Sequence, residues 1–331
     1  MTHRPAIELA TDEDMAEVLA LLQKSFASVQ RSGSVERGAA FWHWKYRSSP
    51  FGPATIQIMR IDGRIAATGC LWPMTLFWKD QKIRALQPCD TAVHPDFRRR
   101  GLFGQLNNAR KALAAERNVD LIFNFPNANS LPGYVKSGWQ HLGRVPWLVR
   151  VMKPAAVLRD RFHPGQSSAR DIPAGYRLSE PVASESAPQA SGAPDRVALE
   201  RPEGYWKWRF CEHPNRQYGL VRSGSDAEDL AVFTLSRKAS GLVEMVVVDL
   251  VCRPQSLTKL LKAMLQCARR VGAGFIALMK PQGLPAGPFH RRGFAPMREK
   301  NLAILPVSTS LPNPVSDIEC WDFRAAMHDS I

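Results

Sequence analysis

The residues best suited to binding chemistry lie in one stretch, residues 90–104, which reads DTAVHPDFRRRGLFG. Ala92 and Val93 are typical of the end of a strand, and Pro95 would stop that strand because proline cannot donate a ladder hydrogen bond. Apolar residues then recur at helical spacing: Leu102, Leu106, Ala109 and Leu113. A glycine-bearing turn that leads into a helix presents unpaired backbone N–H groups and the positive end of the helix dipole. The stretch therefore predicts an anion site, and pyrophosphate is an anion that suits it.

A second stretch, residues 126–139, reads PNANSLPGYVKSGW and follows the apolar run 121–125, which is typical of a buried strand. About 30 residues separate the two stretches, which is the length of one strand–helix–strand crossover. The most reactive side chain of the second stretch is Tyr134. This phenol either acts as an acid in a cleft or packs a short helix as a half-buried aromatic, and the residues alone leave both interpretations open.

Both stretches resemble motifs of the GNAT acetyltransferase superfamily. The first is similar to the coenzyme A pyrophosphate loop, Arg/Gln-x-x-Gly-x-Gly/Ala, in which Arg98 and Gly101 match. Phe103 stands at the last position of that pattern, which is usually small, although Gly104 follows it directly. The second resembles Asn-x-x-Ala-x-x-x-Tyr-x-x-x-Gly-Phe: Asn127, Tyr134 and Gly138 match, Ser130 replaces alanine and Trp139 replaces phenylalanine. The resemblance covers residues 6–152 and concerns the cofactor and the reaction type.

The resemblance implies an acyl-CoA site and gives roles to individual residues. It assigns the pyrophosphate to backbone N–H groups from Arg99 to Gln105 and the pantetheine arm to Ala92 and Val93. The residues expected to bind the coenzyme are Ala92, Val93, Arg98, Arg99, Arg100, Gly101, Leu102, Phe103, Gly104, Gln105, Asn127 and Ser130. In the superfamily, a tyrosine at the position of Tyr134 protonates the departing thiolate, and the N–H of Val93 is expected to polarise the thioester carbonyl.

The sequence repeats itself after residues 179–195, a segment rich in Ser, Ala and Pro that is typical of a linker. The matching segments are 41–46 with 205–210, 90–95 with 249–254, 126–127 with 281–282, and 134–139 with 289–294. The second copy begins its helix at Ser256 without a glycine turn, and Phe289 replaces Tyr134. The repeat therefore predicts a second lobe that keeps the core and lacks the coenzyme site.

Asp90 is the second catalytic candidate. A carboxylate at this point of the strand is able to take a proton from an attacking amine. The other interpretation is structural, because Asp249 holds the same place in a copy that lacks the coenzyme motif, and such a carboxylate can accept backbone N–H bonds. Both roles of Asp90 stay open at this point.

The order of the elements predicts an α/β fold. Thr11 and Asp14 have the spacing of a capping box that starts a helix, and Asp62-Gly63 predicts a hairpin between two strands. With the repeat, the pattern predicts tandem GNAT-like lobes, each a mixed central sheet flanked by helices. The predicted domains are a catalytic lobe at 1–155, a linker and loop region at 156–200, and a second, degenerate lobe at 201–331.

The composition argues against several other classes. The chain of 331 residues has a net charge of +14, but its basic residues are spread along the sequence, so nucleic-acid binding is not favoured. Six scattered cysteines without a Cys-x-x-Cys pair predict reduced thiols, and no metal site is expected. No secretory or membrane-spanning segment is recognisable. We therefore expect a cytoplasmic protein without a membrane partner, whose oligomeric state has no signature in the sequence.

The expected function is acetyl transfer from acetyl-CoA to a primary amine, which attacks the thioester directly while Tyr134 acts as general acid. The resemblance suggests an amino sugar or another small amine as the acceptor, which fold and cofactor do not determine. The alternative is a non-catalytic protein that binds acyl-CoA or serves as a scaffold. Phe103 favours this alternative, whereas Tyr134 and Asn127 favour the enzyme.

Overall fold

The computed structural model describes residues 5–26, 37–162, 167–178, 195–223 and 229–327. The chain divides into two compact units. The first unit comprises the described parts of residues 1–29, 36–143 and 301–318, and the second comprises those of residues 144–300 and 319–331. Residues 301–318 thus belong to the first compact unit, whereas the domain limits inferred from the sequence place them in the second lobe; those limits stay a prediction.

Both strands and helices occur throughout the described residues. The strands are β1 (Ile7–Leu9), β2 (Thr55–Ile61), β3 (Arg64–Trp78), β4 (Gln81–Val93), β5 (Leu121–Asn124), β6 (Gln140–Val151), β7 (Ser167–Arg170), β8 (Ala198–Leu199), β9 (Gly219–Arg222), β10 (Leu230–Lys238), β11 (Val243–Val251), β12 (Phe275–Met279) and β13 (Ala295–Pro306). The α-helices are α1 (Met15–Phe26), α2 (Ala39–Trp42), α3 (Leu102–Glu116), α4 (Leu131–Lys136), α5 (Pro154–Phe162), α6 (Leu257–Arg270) and α7 (Ala286–Arg291). None of these helices is long and apolar enough to cross a membrane. The predicted α/β class is confirmed.

The first unit is built on a mixed sheet. β1, β2, β3 and β4 are antiparallel neighbours, and β5 pairs parallel with β4. On its other side, β5 pairs antiparallel with the last residues of β13, 303–306. The turn between β2 and β3 has a positive φ at Asp62 (51°) and at Gly63 (75°), as a type I′ hairpin requires. The hairpin predicted at this dipeptide is confirmed.

α3 is fixed to this sheet by apolar and polar contacts. Its apolar face meets the sheet in one buried cluster: Leu102, Leu106, Met59, Ala66, Ala67 and Phe97. Further along the helix the fully buried Arg110 donates from Nη2 to Thr91 Oγ1 at 2.7 Å and from Nη1 to Asn107 Oδ1 at 2.6 Å. Gly69 leaves room for this guanidinium, because a Cβ at that position would collide with it. These contacts hold the start of α3 close to the end of β4.

The second unit is also built on a mixed sheet. β12 pairs parallel with β11, β11 pairs antiparallel with β10, and both β7 and β9 pair antiparallel with β10. On its other side, β12 pairs antiparallel with the last residues of β6, 147–151. α6 contributes a buried stripe to the core of this unit: Leu257, Leu260, Leu261, Met264 and Ala268. This is the amphipathic helix that the sequence predicts after Ser256.

The repeated aromatic segments have the same local structure in both units. Each contains a π-helical turn: His43–Arg47 in the first unit and Lys207–Cys211 in the second. The ring centroids of Trp42 and Tyr46 lie 5.0 Å apart with planes at 75°. Those of Trp206 and Phe210 lie 5.4 Å apart with planes at 83°. Matching geometry at a constant sequence offset supports the duplication inferred from the sequence.

Candidate functional site

The sheet of the first unit opens between β4 and β5. Within the described residues these parallel strands pair at two positions, of which the last is Leu86↔Ile122. β4 continues along β3 as far as Val93, whereas β5 ends at Asn124. Beyond Leu86, the backbone N–H and C=O groups on the β5 side of β4 therefore need partners other than β5. An extended ligand lying in this gap is able to supply them.

Pro88 lies in β4 at the point where the strands have parted. It lacks the N–H group that a central strand uses in its ladder, and proline is confined mainly to sheet edges for that reason. The pairing with β3 continues across this position as Leu71↔Pro88. The missing donor is therefore consistent with a strand that is paired on one side and open on the other.

A β-bulge distorts β4 at Asp90. The register between β3 and β4 shifts beside it, and Asp90 has a φ of 45°, which is uncommon for a residue other than glycine. Its side chain is 6% exposed. The carboxylate has three partners: an ion pair with Lys45 Nζ, a hydrogen bond from the Tyr46 hydroxyl at 2.8 Å, and Arg37 Nη2 at 3.5 Å.

These contacts hold Asp90 in its ionised form. Burial by itself raises the pKa of Asp90, but the charges of Lys45 and Arg37 outweigh burial and lower the pKa below its usual value. Burial, together with the neighbouring carboxylate, raises the pKa of Tyr46 well above its ordinary value, so this phenol stays a proton donor. A carboxylate with a low pKa and three partners is a weak proton acceptor, which favours the structural role of Asp90.

The glycine turn connects β4 to α3. A 3₁₀ turn, Pro95–Phe97, leads into it, and both Arg99 (φ 63°) and Gly101 (φ 75°) have the left-handed conformation. The N–H of Gln105 donates to the Gly101 carbonyl at 3.1 Å, which is the first bond of the helix. The N–H groups of the preceding residues have no partner within the helix. Because Gln105 is already engaged, the predicted row of backbone donors ends one residue earlier, at Gly104.

The space beside this turn is open and its surroundings are basic. A Cβ at Gly101 or Gly104 would meet no heavy atom within 4 Å. The side chains of Arg98, Arg99 and Arg100 are exposed, and Arg98 Nε lies 3.5 Å from the last carbonyl oxygen of β4. Open space, unpaired N–H groups and three arginines suit a multiply charged anion.

The last two residues of β4, Ala92 and Val93, lie between the gap and the glycine turn. On one side they pair with Thr68 and Ala67 of β3. The other side of the strand borders the gap. The backbone groups predicted to bind a pantetheine arm therefore belong to the strand whose edge is open.

Phe103 packs against α4. Its ring centroid lies 5.4 Å from that of Tyr134, with the planes at 89°. Gly133 makes this contact possible, because a Cβ at that position would come within 2.7 Å of Phe103 Cε1. The ring of Phe103 thus packs against α4 and leaves the space beside Gly101 open.

Tyr134 is 3% exposed and lies at the gap end of β5. Its ring packs on Trp139 with centroids 4.7 Å apart, and its hydroxyl oxygen accepts a hydrogen bond from Asn124 Nδ2 at 2.8 Å. Since Asn124 is the last residue of β5, the hydroxyl lies where β5 ends beside the gap. Asn124 belongs to neither sequence motif, and its signal in the sequence was one polar residue at the end of an apolar strand.

Asn127 organises the turn that leads into α4. Its Oδ1 accepts the N–H groups of Asn129 at 3.0 Å and Ser130 at 2.9 Å, and its carbonyl accepts the N–H of Leu131 at 3.0 Å. The side-chain oxygen of Asn127 is therefore occupied within the protein. Contacts of Asn127 and Ser130 with a coenzyme stay a prediction.

In the ranges that the structure describes, no three His, Cys, Asp or Glu side chains are grouped so that they could hold a metal ion.

Comparison with known proteins adds an independent finding. Residues 6–142 match the family described as an acetyltransferase (GNAT) domain. A search of curated proteins found no match. Similar solved structures include a GCN5-related N-acetyltransferase from Anabaena variabilis, with 12% identity, a TM-score of 0.63, and coverage of 92% of this chain and 73% of that chain.

Two further solved structures share the fold. Eis1 from Mycobacterium abscessus is 12% identical, with a TM-score of 0.54 and coverage of 92% of this chain and 74% of that chain. The N-myristoyltransferase of Saccharomyces cerevisiae, solved with bound myristoyl-CoA, is 12% identical, with a TM-score of 0.58 and coverage of 92% of this chain and 85% of that chain. The predicted tandem GNAT-like fold is confirmed. The residues that match the acetyltransferase (GNAT) domain include both the opening between β4 and β5 and the glycine turn that follows it, so this part of the chain is similar to that family.

Proposed function

We propose that the first unit is an N-acetyltransferase that uses acetyl-CoA to acetylate a primary amine. The observation that carries the proposal is the open edge of β4 beside the phenol of Tyr134. The oxygen of this phenol accepts a hydrogen bond, so its proton can be donated to another group. The match of residues 6–142 to a family that binds acyl-CoA supports the donor. Acetyl-CoA supplies the acetyl group as a thioester.

The residues of the first unit fit this donor. A pyrophosphate needs hydrogen-bond donors and positive charge, which the N–H groups before Gln105 and the three arginines beside them offer. A pantetheine arm carries amides that suit a strand edge such as that of Ala92 and Val93. The open space at Gly101 and Gly104 leaves room for close backbone approach.

In the proposed reaction Tyr134 is the general acid. The amine nitrogen forms a bond to the carbonyl carbon, the carbon–sulfur bond breaks with its electron pair on sulfur, and Tyr134 donates its proton to that sulfur. The proton released from the amine passes to water. The N–H of Val93 is proposed to polarise the carbonyl oxygen.

The predicted role of Asp90 as base stays a prediction. Its buried ion pair with Lys45 and its lowered pKa support an anchor for the bulge of β4. Stabilisation of this bulge would keep the N–H of Val93 aligned, so Asp90 would act on catalysis through the backbone.

The first test is the Tyr134→Phe variant. We expect turnover, measured as thiol release from acetyl-CoA with a panel of amino sugars, other small amines and a lysine peptide, to fall about 10²- to 10⁴-fold. Coenzyme affinity should stay unchanged, because the hydroxyl is not part of the anion site. The matched control is Phe289→Tyr, which restores a hydroxyl in the second unit and should change neither quantity.

Three outcomes are informative. Transfer to an amine that depends on Tyr134 supports the enzyme and identifies the acceptor. Coenzyme binding without transfer to any amine supports the non-catalytic alternative. Full turnover in Tyr134→Phe would show that the acid is another group.

A further inference from the structure

We propose that Asn124 is a positioning residue that directs the Tyr134 hydroxyl toward the reacting sulfur. This inference rests on the proposed function. Asn124 ends β5 at the gap, and its Nδ2 lies 2.8 Å from the Tyr134 hydroxyl oxygen. It belongs to neither family motif of the sequence analysis.

The orientation of the Asn124 amide is fixed by a second bond. The N–H of Phe125 donates to Asn124 Oδ1 at 2.8 Å. A flipped amide would place its NH₂ group against this N–H, so the oxygen must face Phe125 and the nitrogen must face Tyr134. The hydroxyl of Tyr134 therefore accepts from Asn124 and cannot donate to it.

This arrangement has two chemical consequences. A phenol that accepts its fixed hydrogen bond keeps its proton for another acceptor. After the proton has been transferred, the same N–H group faces a phenolate and forms a charge-assisted hydrogen bond, which is stronger than the neutral one. The amide of Asn124 therefore favours transfer of the proton away from Tyr134, and it stabilises the phenolate that results.

The second unit supplies an internal comparison. In the alignment of residues 126–127 with 281–282, Met279 replaces Asn124 and Phe289 replaces Tyr134. Both replacements lie on matching elements, at the end of β12 and within α7. The amide and the hydroxyl are thus absent together from the copy that lacks the coenzyme motif, as expected if they work as a pair.

Two substitutions test the pair. Asn124→Leu removes the donor at similar size, and Asn124→Asp presents an oxygen that accepts the Tyr134 proton. We expect kcat to fall about tenfold in Asn124→Leu, in line with one lost hydrogen bond, and further in Asn124→Asp, with the KM for acetyl-CoA unchanged in both. In a Tyr134→Phe background, Asn124→Leu should cause no additional loss.

The matched control is Asn301→Leu. Asn301 Nδ2 also donates a hydrogen bond in the first unit, but to the Pro126 carbonyl, at 3.1 Å. Its substitution should leave the kcat of the folded enzyme unchanged.

A spectroscopic measurement tests the hydrogen bond without turnover. In protein labelled with ¹³Cζ-tyrosine, the Tyr134 resonance is identified by its absence from Tyr134→Phe. We expect this resonance to shift in both Asn124 variants and to stay in place in Asn301→Leu. An unmoved resonance, or an Asn124→Leu enzyme with full kcat, overturns the inference. A wild-type protein that binds acetyl-CoA but acetylates no amine in the panel overturns the proposed function and the positioning role together, even when the resonance shifts.

Discussion

The two units differ in how far their central parallel strands stay paired. In the first unit, β4 and β5 pair through two residue pairs. In the second unit, β11 and β12 pair through four residue pairs, of which the last is Val247↔Leu278. When Asp90 is aligned with Asp249, Val247 takes the place of Pro88. A valine can donate a ladder hydrogen bond where proline cannot. The duplicated framework is therefore open in the unit with the glycine turn and paired further in the unit without it.

The features shared by both units show which parts are framework. The ladder that contains Asp249 also has a register shift beside it, and Asp249 accepts hydrogen bonds from Arg201 Nη2 at 2.7 and 2.9 Å. Arg201 lies at the same offset from the second aromatic segment as Arg37 does from the first, and Arg37 contacts Asp90. A buried aspartate held by arginine at a bulge is thus common to both units. Four features of the first unit have no counterpart at the aligned positions of the second: the glycine turn, Pro88, Asn124 and Tyr134.

The largest expected effect on coenzyme binding comes from Gly101→Glu. This change strains a backbone with a φ of 75° and puts a negative charge into the proposed anion site. Acetyl-CoA at about one hundred times its Kd should stabilise the wild type by about 2.7 kcal/mol, and the variant should show no stabilisation in thermal unfolding. Gly241→Glu is the control, because Gly241 has a φ of 83° and open space around it in the second unit. Equal loss of coenzyme binding in both variants would contradict a site at the glycine turn.

A large stability effect is expected from Asp90→Asn. The change removes one partner of the buried ion pair between Asp90 and Lys45, which costs about 3–5 kcal/mol in comparable pairs. Asp249→Asn should destabilise similarly, since its carboxylate also has arginine partners. Urea unfolding measures both losses. A stable Asp90→Asn protein whose turnover falls a hundredfold or more would instead identify Asp90 as the base.

The pH dependence of stability sharpens this test. The pKa of Asp90 is lower in the folded protein than in the unfolded chain, so its charge stabilises the fold above the unfolded pKa, and this stabilisation is lost as the pH falls through the folded pKa. We expect the unfolding free energy of the wild type to decrease below about pH 4, and that of Asp90→Asn to decrease less. Parallel pH profiles of the two proteins would argue against an ionised Asp90 in the fold.

A smaller effect is expected from Pro88→Val, which gives β4 the N–H group that β11 has. One additional ladder hydrogen bond stabilises by about 0.5–1.5 kcal/mol, so coenzyme affinity should weaken by up to about tenfold as the gap closes. Isothermal titration with acetyl-CoA measures this change. The reciprocal Val247→Pro should cost about 1–3 kcal/mol of stability, because it leaves a ladder acceptor without its donor, and should leave the affinity unchanged. Tighter binding by Pro88→Val would show that the proline does not hold the gap open.

Local chemistry was predictable where it depends on residues close in the sequence. The hairpin follows from the dipeptide Asp62-Gly63, and the helix after the glycine turn follows from the helical periodicity of its apolar residues. The repeat could be recognised because tryptophan is a rare residue and the segments 41–46 and 205–210 carry their tryptophans at the same positions. These signals require no knowledge of distant contacts.

The remaining features depend on distant contacts and were not predictable. Asn124 has no motif position, and its role becomes visible only when α4 brings Tyr134 to the end of β5. Phe103 departs from the usually small residue of the motif, and nothing in the sequence shows that Gly133 makes room for its ring. The N–H of Gln105 donates to the Gly101 carbonyl because the first helical hydrogen bond forms there. A sequence predicts the first residue of a helix only to within one or two positions.

The strand partner of β5 has a consequence for biosynthesis. β5 is complete at residue 124, but its outer neighbour is residues 303–306. During synthesis on the ribosome, the outer edge of β5 therefore stays unpaired until residues 303–306 have been made. An unpaired strand edge can associate with other nascent chains. The first unit cannot finish folding as soon as its own first 143 residues have emerged. A fragment that ends at residue 155 would lack one strand of the sheet of the first unit, and chaperones that shield exposed edges would act on the growing chain during this interval.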